Sequence, residues 1–173
     1  MFTFKQLSTV NQSNIDALSA VLIDCVEGGA SVSFMHPLSV DKAAAFWQSV
    51  ADDVATAKRI LLVAENNAGD IVGTVQVVLA QPDNQPHRAD IAKMLVHRNA
   101  RRQGVAQALL AAAETAAAKA SKTMLVLDTV TGGDAERLYA NQGWQECGKI
   151  PDYALFPHGG LCSTTVFYKA IGS

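Results

Sequence analysis

The stretch from Arg88 to Thr129 constrains the fold more than any other part of the chain. Arg88 to Val96 is a strand-like run, Gln103-Gly104 marks a turn, Val105 to Ala120 is an Ala- and Leu-rich helical segment, and Met124 to Thr129 is too short for a helix. Strand, helix and strand in that order make a parallel pair joined by a right-handed crossover. The remaining segments arrange themselves around this unit. Thr3 to Leu7 reads as an opening strand, and Asn14 to Glu27 places Ile15, Leu18, Leu22, Cys25 and Val26 on one helical face before Gly28-Gly29 stops it. Ser39 caps a second helix in which Ala43, Phe46, Trp47, Val50, Ala51 and Val54 recur at the 3.6-residue period. Ile60 to Glu65 and Ile71 to Ala80 form a hairpin around Asn66-Asn67-Ala68-Gly69-Asp70. Pro82 and Pro86 bracket a polar loop, and Thr131-Gly132-Gly133 leads into a short helix from Asp134 to Asn141. The tail returns as strands Gln145 to Ile150 and Ser163 to Lys169 around a Gly/Pro-rich loop. The expected fold class is α/β: a mixed, mostly antiparallel central sheet flanked by helices, with one parallel strand-helix-strand unit.

Composition narrows what such a fold can serve. At 173 residues the chain is expected to be a single domain over 1–173, since two would each be short of core. With 49% apolar and 17% charged residues it lies far from disordered compositions. A net charge of -2, with basic residues clustered only at Arg98, Arg101 and Arg102, gives no broad footprint for nucleic acid. No apolar run spans a bilayer, and Met1 to Lys5 begins no export signal, so no membrane partner is expected and the protein is read as starting near Met1. Cys25, Cys147 and Cys162 are odd in number and far apart, which fits a reducing cytoplasm rather than a disulfide or zinc framework. His36, His87, His97 and His158 show no metal spacing, so no metal is expected.

The chemistry concentrates in Met94-Leu95-Val96-His97-Arg98-Asn99-Ala100-Arg101-Arg102-Gln103-Gly104-Val105-Ala106, a strand running through a basic turn into a helix. A helix N-terminus offers unpaired N–H groups, and small Gly104 and Ala106 let a ligand approach the backbone. The segment therefore reads as an anion site suited to a diphosphate, or else as a capped helix with solvated arginines. It lacks the Gly-Lys-Ser/Thr of a nucleotide P-loop and the three glycines of a dinucleotide fingerprint.

Arg101-x-x-Gly104-x-Ala106 after an apolar strand, followed by Ala135-x-x-x-Tyr139-x-x-x-Gly143-Trp144, resembles the GNAT family of acetyl-CoA-dependent N-acetyltransferases. Within it, Gly28-Gly29-Ala30-Ser31-Val32-x-Phe34-Met35, Lys93 and Leu127-Asp128-Thr129 resemble the tabtoxin-resistance acetyltransferases over nearly the whole chain. The family resemblance implies that acetyl-CoA lies in a V between the strands at Arg88 to Val96 and Met124 to Thr129. Backbone groups of Met94, Leu95 and Val96 would pair with the pantetheine arm, and those from Arg101 through Arg102, Gln103, Gly104, Val105 and Ala106 would cradle the pyrophosphate. Many members carry an Asn just before the short helix, where this chain has Thr131-Gly132-Gly133-Asp134, so one bond to the cofactor arm is missing or falls to the backbone.

Direct transfer needs a neutral amine, and an alkyl amine of pKa ~10.4 is neutral in only about 0.04% of molecules at pH 7, equivalent to roughly 4.6 kcal/mol. A proton acceptor is therefore required. Asp128, ending a strand on the parting side, and Asp90, on the neighbouring strand, both match acidic positions in the resemblance. Asp128 reads otherwise as a counter-charge that binds the amine or as a capping residue just after its strand, and Asp90 reads equally as a solvated or salt-bridged strand carboxylate. Tyr139 matches the family's general acid for the leaving thiolate, against the alternative of a core tyrosine, and a strand N–H near Leu95 or Val96 would meet the oxyanion. The loops Gly28 to Leu38 and Pro151 to Cys162 are expected to wall the acceptor pocket, with Phe34, Met35, Tyr153 and Phe156 lining it or plugging the loops against the core.

The resulting expectation is acetyl transfer to a small, polar, amino-acid-like amine, with toxin or antibiotic modification as the analogy. The alternatives are acetylation of a peptide or protein N-terminus and a non-catalytic acyl-CoA sensor. A homodimer is left open.

Overall fold

The computed structural model describes residues 1–172. Its strands are β1 (Thr3–Leu7), β2 (Arg59–Glu65), β3 (Ile71–Val78), β4 (Arg88–Val96), β5 (Met124–Val130), β6 (Gln145–Leu155) and β7 (Leu161–Ala170). The helices are α1 (Gln12–Glu27), α2 (Val40–Ala55), α3 (Val105–Lys119) and α4 (Asp134–Asn141). All seven strands form one sheet in the order β1-β2-β3-β4-β5-β7-β6, and β4 with β5 is its one parallel pair. Helix α3 is the crossover between them, as the strand-helix-strand reading requires.

Alternation along the strands divides the core between two faces. Leu62, Val75, Val77, Ala89, Ile91, Leu125, Leu127 and Phe167 meet Leu109, Leu110, Ala113 and Ala117 of α3, together with Tyr139 and Trp144. Leu61, Val63 and Leu95 meet Leu18, Leu22 and Val26 of α1 and Trp47 and Val50 of α2 on the opposite face. Gly73 lets α3 come close: a Cβ there would stand 3.1 Å from Val105 Cγ1 and 3.2 Å from Leu109 Cδ1. The small alanines of α3 serve the same tight approach. Trp144 and β7 are tied to α3 through Glu114, which accepts from Trp144 Nε1 at 2.9 Å and from Lys169 Nζ at 2.8 Å.

Beyond one-residue shifts at the ends of β2, α3, β5 and β7, four features differ from the sequence reading. Helix α1 begins at Gln12 rather than Asn14, because Asn11 and Asn14 cap each other's backbone N–H groups reciprocally. Strand β3 ends at Val78 rather than Ala80, since the N–H groups of Leu79 and Ala80 turn to Lys58 O. The Arg98–Ala100 segment closes a 3₁₀ turn, which no periodicity announced. The expected loop from Pro151 to Cys162 is mostly strand: β6 continues to Leu155 and β7 starts at Leu161. A register shift between Ile150 and Ala154 absorbs Pro151, whose missing N–H suits the irregularity.

Candidate functional site

Strands β4 and β5 pair only over Arg88–Met124, Ala89–Leu125 and Asp90–Val126, although β4 continues to Val96 and β5 to Val130. A bulge parts them. Gln76 faces Ala92 and Thr74 faces Leu95, so Val75 alone stands opposite both Lys93 and Met94, and Lys93 takes φ 50°. The extra residue bends β4 away from its parallel neighbour. Beyond the bulge, His97 N–H donates to Val72 O on β3 at 2.8 Å. Main-chain groups alternate sides along a strand, so those of Leu95 face Thr74 while those of Met94 and Val96 face the wedge.

The turn after β4 is braced from α1. Arg98 donates to Asp24 from its backbone N–H and from Nε, each at 2.8 Å, and His97 Nε2 lies 3.5 Å from the same carboxylate. Burial works against the Asp24 charge, but the hydrogen bonds from Arg98 and the nearby His97 outweigh it and hold the carboxyl below its ordinary value. Cys25 Sγ lies 3.5 Å from Val96 O, and Arg101 folds back so that its Nε donates to the same oxygen at 3.0 Å. Thus Arg101 shapes the turn, while Arg102 is exposed at φ 60°. Gly104 caps α3 at φ 81°, and a Cβ built on it meets no protein atom within 4 Å. Helix α3 therefore starts from a left-handed conformation that glycine adopts freely, and a side chain at this position would project into open space.

Two expected outcomes follow from this turn. A pKa lowered by folding contributes stability that is fully present above the ordinary value of 3.8 and is lost as pH falls through the folded value below it. Asp24→Asn should therefore lower Tm by roughly 5 °C near neutrality and flatten the decline below about pH 4, as read by melting curves across pH. At Gly104, Ala would cost about 1–2 kcal/mol through φ alone. Its methyl would also project into the open space beside the turn, where the family resemblance expects the pyrophosphate, and on that expectation CoA affinity should fall roughly tenfold or more in calorimetric titration. Unchanged affinity in the folded variant would remove the turn from the cofactor site.

Asp128, Tyr139 and Lys93 converge where the wedge opens. Asp128 is exposed on β5, and its Oδ2 accepts from Thr164 Oγ1 of β7 at 2.8 Å. Tyr139 on α4 is 4% exposed and packs against Trp144 and Phe167, with ring centroids 5.8 and 6.1 Å away. Burial, with the Asp128 charge adding to it, pushes its phenol well above the ordinary range. Lys93 Nζ donates to Ser33 Oγ at 3.0 Å and sits 5.8 Å from the Phe46 ring centroid. Asp90 stands apart, on the closed portion of the parallel pair, with its oxygens taken by Arg88 and by Gln81 Nε2. At the turn before α4, Gly132 N–H donates to Glu136 Oε2 at 2.6 Å, so part of the backbone that departs from the family's Asn is held by this helix's own carboxylate.

The two expected pocket walls are clasped together. Ser31 Oγ donates to Leu155 O at 2.9 Å, His36 N–H donates to Pro157 O at 2.9 Å, and the His36 and His158 rings stack at 4.4 Å. Phe34 is half-buried edge-on against Phe46, which makes it a plug as much as a lining residue. Met35, Tyr153 and Phe156 are exposed. The bracing residues Asp24, Cys25 and Thr164 had no local sequence signal, because each partner lies on another element. Among the described residues no group of His, Cys, Asp and Glu could hold a metal, and no helix is long and apolar enough to cross a membrane.

Residues 57–146 match the family model described as an acetyltransferase (GNAT) domain, a segment running from before β2 into β6 and including the wedge and the turn into α3. The fold is shared with solved structures of low identity. A ribosomal-protein-alanine N-acetyltransferase from Brucella melitensis superposes with TM-score 0.81 at 21% identity, covering 98% of this chain and 99% of that one. A Salmonella typhimurium protein provisionally named an acetyltransferase, solved with its cofactor acetyl-CoA, gives 0.80 at 16%, covering 99% and 95%. A protein provisionally named a phosphinothricin N-acetyltransferase gives 0.82 at 15%, with both chains covered fully at 100%. With the family model matching more than half of its length, across the parted strands and the glycine-capped helix, the chain belongs to the GNAT acetyltransferase family and is an N-acetyltransferase that takes its acetyl group from acetyl-CoA.

Proposed function

We propose that the chain, as one GNAT-type domain over 1–173, acetylates the amine of a small, polar, amino-acid-like molecule by direct transfer in the wedge. The observation that carries this reading is the convergence of the unpaired β4 edge with Asp128, whose charge reaches the buried Tyr139 phenol. The residues fit acetyl-CoA. Backbone groups from Arg102 to Ala106 hold the pyrophosphate, and those of Val96 and then Met94 take the pantetheine inward as an added strand. The bound cosubstrate supplies an activated acetyl group.

Asp128 anchors the acceptor's ammonium and takes its proton, freeing the nitrogen lone pair to attack the thioester carbonyl carbon. The wedge-facing N–H of Met94, nearer the reacting end than Val96, meets the charge that develops on the carbonyl oxygen. Leu95, whose main-chain groups face Thr74, serves as a buried anchor instead. As the new C–N bond forms and the C–S bond breaks, Tyr139 gives its proton to the sulfur, the proton on Asp128 restores the phenol, and the nitrogen's second proton leaves to solvent through the freed Asp128 carboxylate, giving the neutral amide, the CoA thiol and one released proton. Asp90, held by Arg88 and Gln81, contributes a structural charge.

The loop after α1 is hydrogen-bonded to the tip of the β6–β7 hairpin, which suits a small acceptor better than a peptide needing an open groove between them. The likeness to a protein named for phosphinothricin and the residues resembling the tabtoxin-resistance enzymes support the same class. The three free cysteines, two of them buried, suit a reducing cytoplasm. The test follows thiol release from acetyl-CoA with purified protein against amino acids, aminoglycosides, polyamines and peptides. Turnover with small amino compounds is expected; peptide-only turnover would favour N-terminal acetylation, and binding without turnover a sensor.

A further inference from the structure

Lys93 is a half-buried cation that the proposed chemistry leaves unused. It belongs to the bulge that opens the wedge, and its side chain reaches the acceptor side, where the loop after α1 and Phe46 of α2 receive it. Of its three donors one is committed, to Ser33 Oγ. Ser33 itself is held at φ 77°, an uncommon conformation for a non-glycine residue. Among the described residues neither Lys93 nor Asp128 forms an ion pair within 4.0 Å. An unpaired ammonium and an unpaired carboxylate thus project from the diverging strands, each beyond the last paired residues.

The surroundings of Lys93 reinforce its need for an anion. Burial lowers its pKa, Asp128 partly offsets this, and the charge of Arg59 adds to the lowering. Arg59 is neutralised by Asp53 and donates to Gln76 Oε1, leaving Gln76 fully buried with its Nε2 unpartnered. On the acceptor side the Lys93 cation and the Ser33 hydroxyl therefore meet beside β4, while Asp128 stands on β5.

We propose that Lys93 receives a carboxylate of the acceptor, so that the amine acetylated here belongs to a small molecule carrying its own carboxylate. This rests on the amine-acetylating reading and narrows it to zwitterions: the ammonium goes to Asp128 and the carboxylate to Lys93. The match is to a monoanion, because one ammonium and one hydroxyl serve it. Acetylation removes the substrate's positive charge and with it the attraction to Asp128, so product release is built into the same arrangement.

Matched probes test the pairing: L-lysine against cadaverine, L-phenylalanine against 2-phenylethylamine, and γ-aminobutyrate against propylamine. Wild-type kcat/KM should favour the carboxylated member of at least one pair by roughly 10- to 100-fold. Lys93→Met should collapse that preference mainly through KM, and Lys93→Arg should restore part of it. Equal rates within every pair, or a preference that survives Lys93→Met, would overturn the proposal and leave Lys93 as a counter-charge for Asp128. A second readout is independent of turnover. In protein carrying ¹³C at lysine Cε, butyrate should raise the Lys93 pKa by supplying the missing counter-charge. An unmoved Lys93 titration would overturn the anion site even where amines are acetylated, whereas acetylation of no amine beside a shifted Lys93 would sink the enzymatic reading alone.

Discussion

Tyr139→Phe is expected to lower kcat by about 10- to 10⁴-fold while leaving acetyl-CoA binding nearly level. The substitution removes one hydroxyl and keeps the ring that packs between Trp144 and Phe167. Fold stability should therefore hold at neutral pH. A buried phenol beside the Asp128 carboxylate keeps its proton throughout the working range, which is the state a general acid needs. The sign of its linkage is also fixed. A folded-state pKa raised above the ordinary 10.0 contributes stability that is full below that value and is lost as pH climbs above it. Wild-type Tm should thus fall more steeply above pH 10 than that of Tyr139→Phe. Full turnover in the variant would reduce Tyr139 to a packing residue.

Asp128→Asn should strike both acceptor binding and chemistry. Asn retains an oxygen to accept from Thr164 Oγ1, so the local β5–β7 contact survives. It cannot take a proton or offset an ammonium. The expected result is a kcat lower by roughly 10²- to 10⁴-fold and a raised acceptor KM. Asp90→Asn should instead disturb the Arg88–Gln81 cluster and cost stability more than rate. An unaltered kcat in Asp128→Asn would remove its role as the base.

Much of this was readable in the chain because the decisive signals are local. The α2 repeat with its Ser39 cap, the Asn66–Asp70 hairpin, and the Gly104 turn into α3 each depend on neighbouring residues, and each stands where the spacing placed it. The order of Arg101, Gly104, Ala106 and Tyr139 pointed to the GNAT family, which the match over 57–146 bears out. What stayed hidden was set by distant partners. Nothing near Asp24 announces its bond to Arg98, 74 positions away, and nothing near Lys93 announces Ser33. The bulge at Lys93 was equally silent, since it exists only as a mismatch of register between β3 and β4. It matters most for the site, because it decides that Met94 and Val96 rather than Leu95 turn their backbone toward the wedge. The extended β6–β7 hairpin was obscured by Pro151 and Gly159-Gly160, which read as loop until the pairing partner is known.

Residue-resolved amide hydrogen exchange, with and without acetyl-CoA, tests the central claim most directly. If the cosubstrate lies as an added strand in the wedge, the amides of Met94 and Val96 and those from Arg102 to Ala106 gain protection on binding. The Leu95 amide, already turned to Thr74, stays as it was. Acetyl-CoA that binds without protecting Met94 or Val96, or that protects a surface away from β4 and the start of α3, would contradict the account.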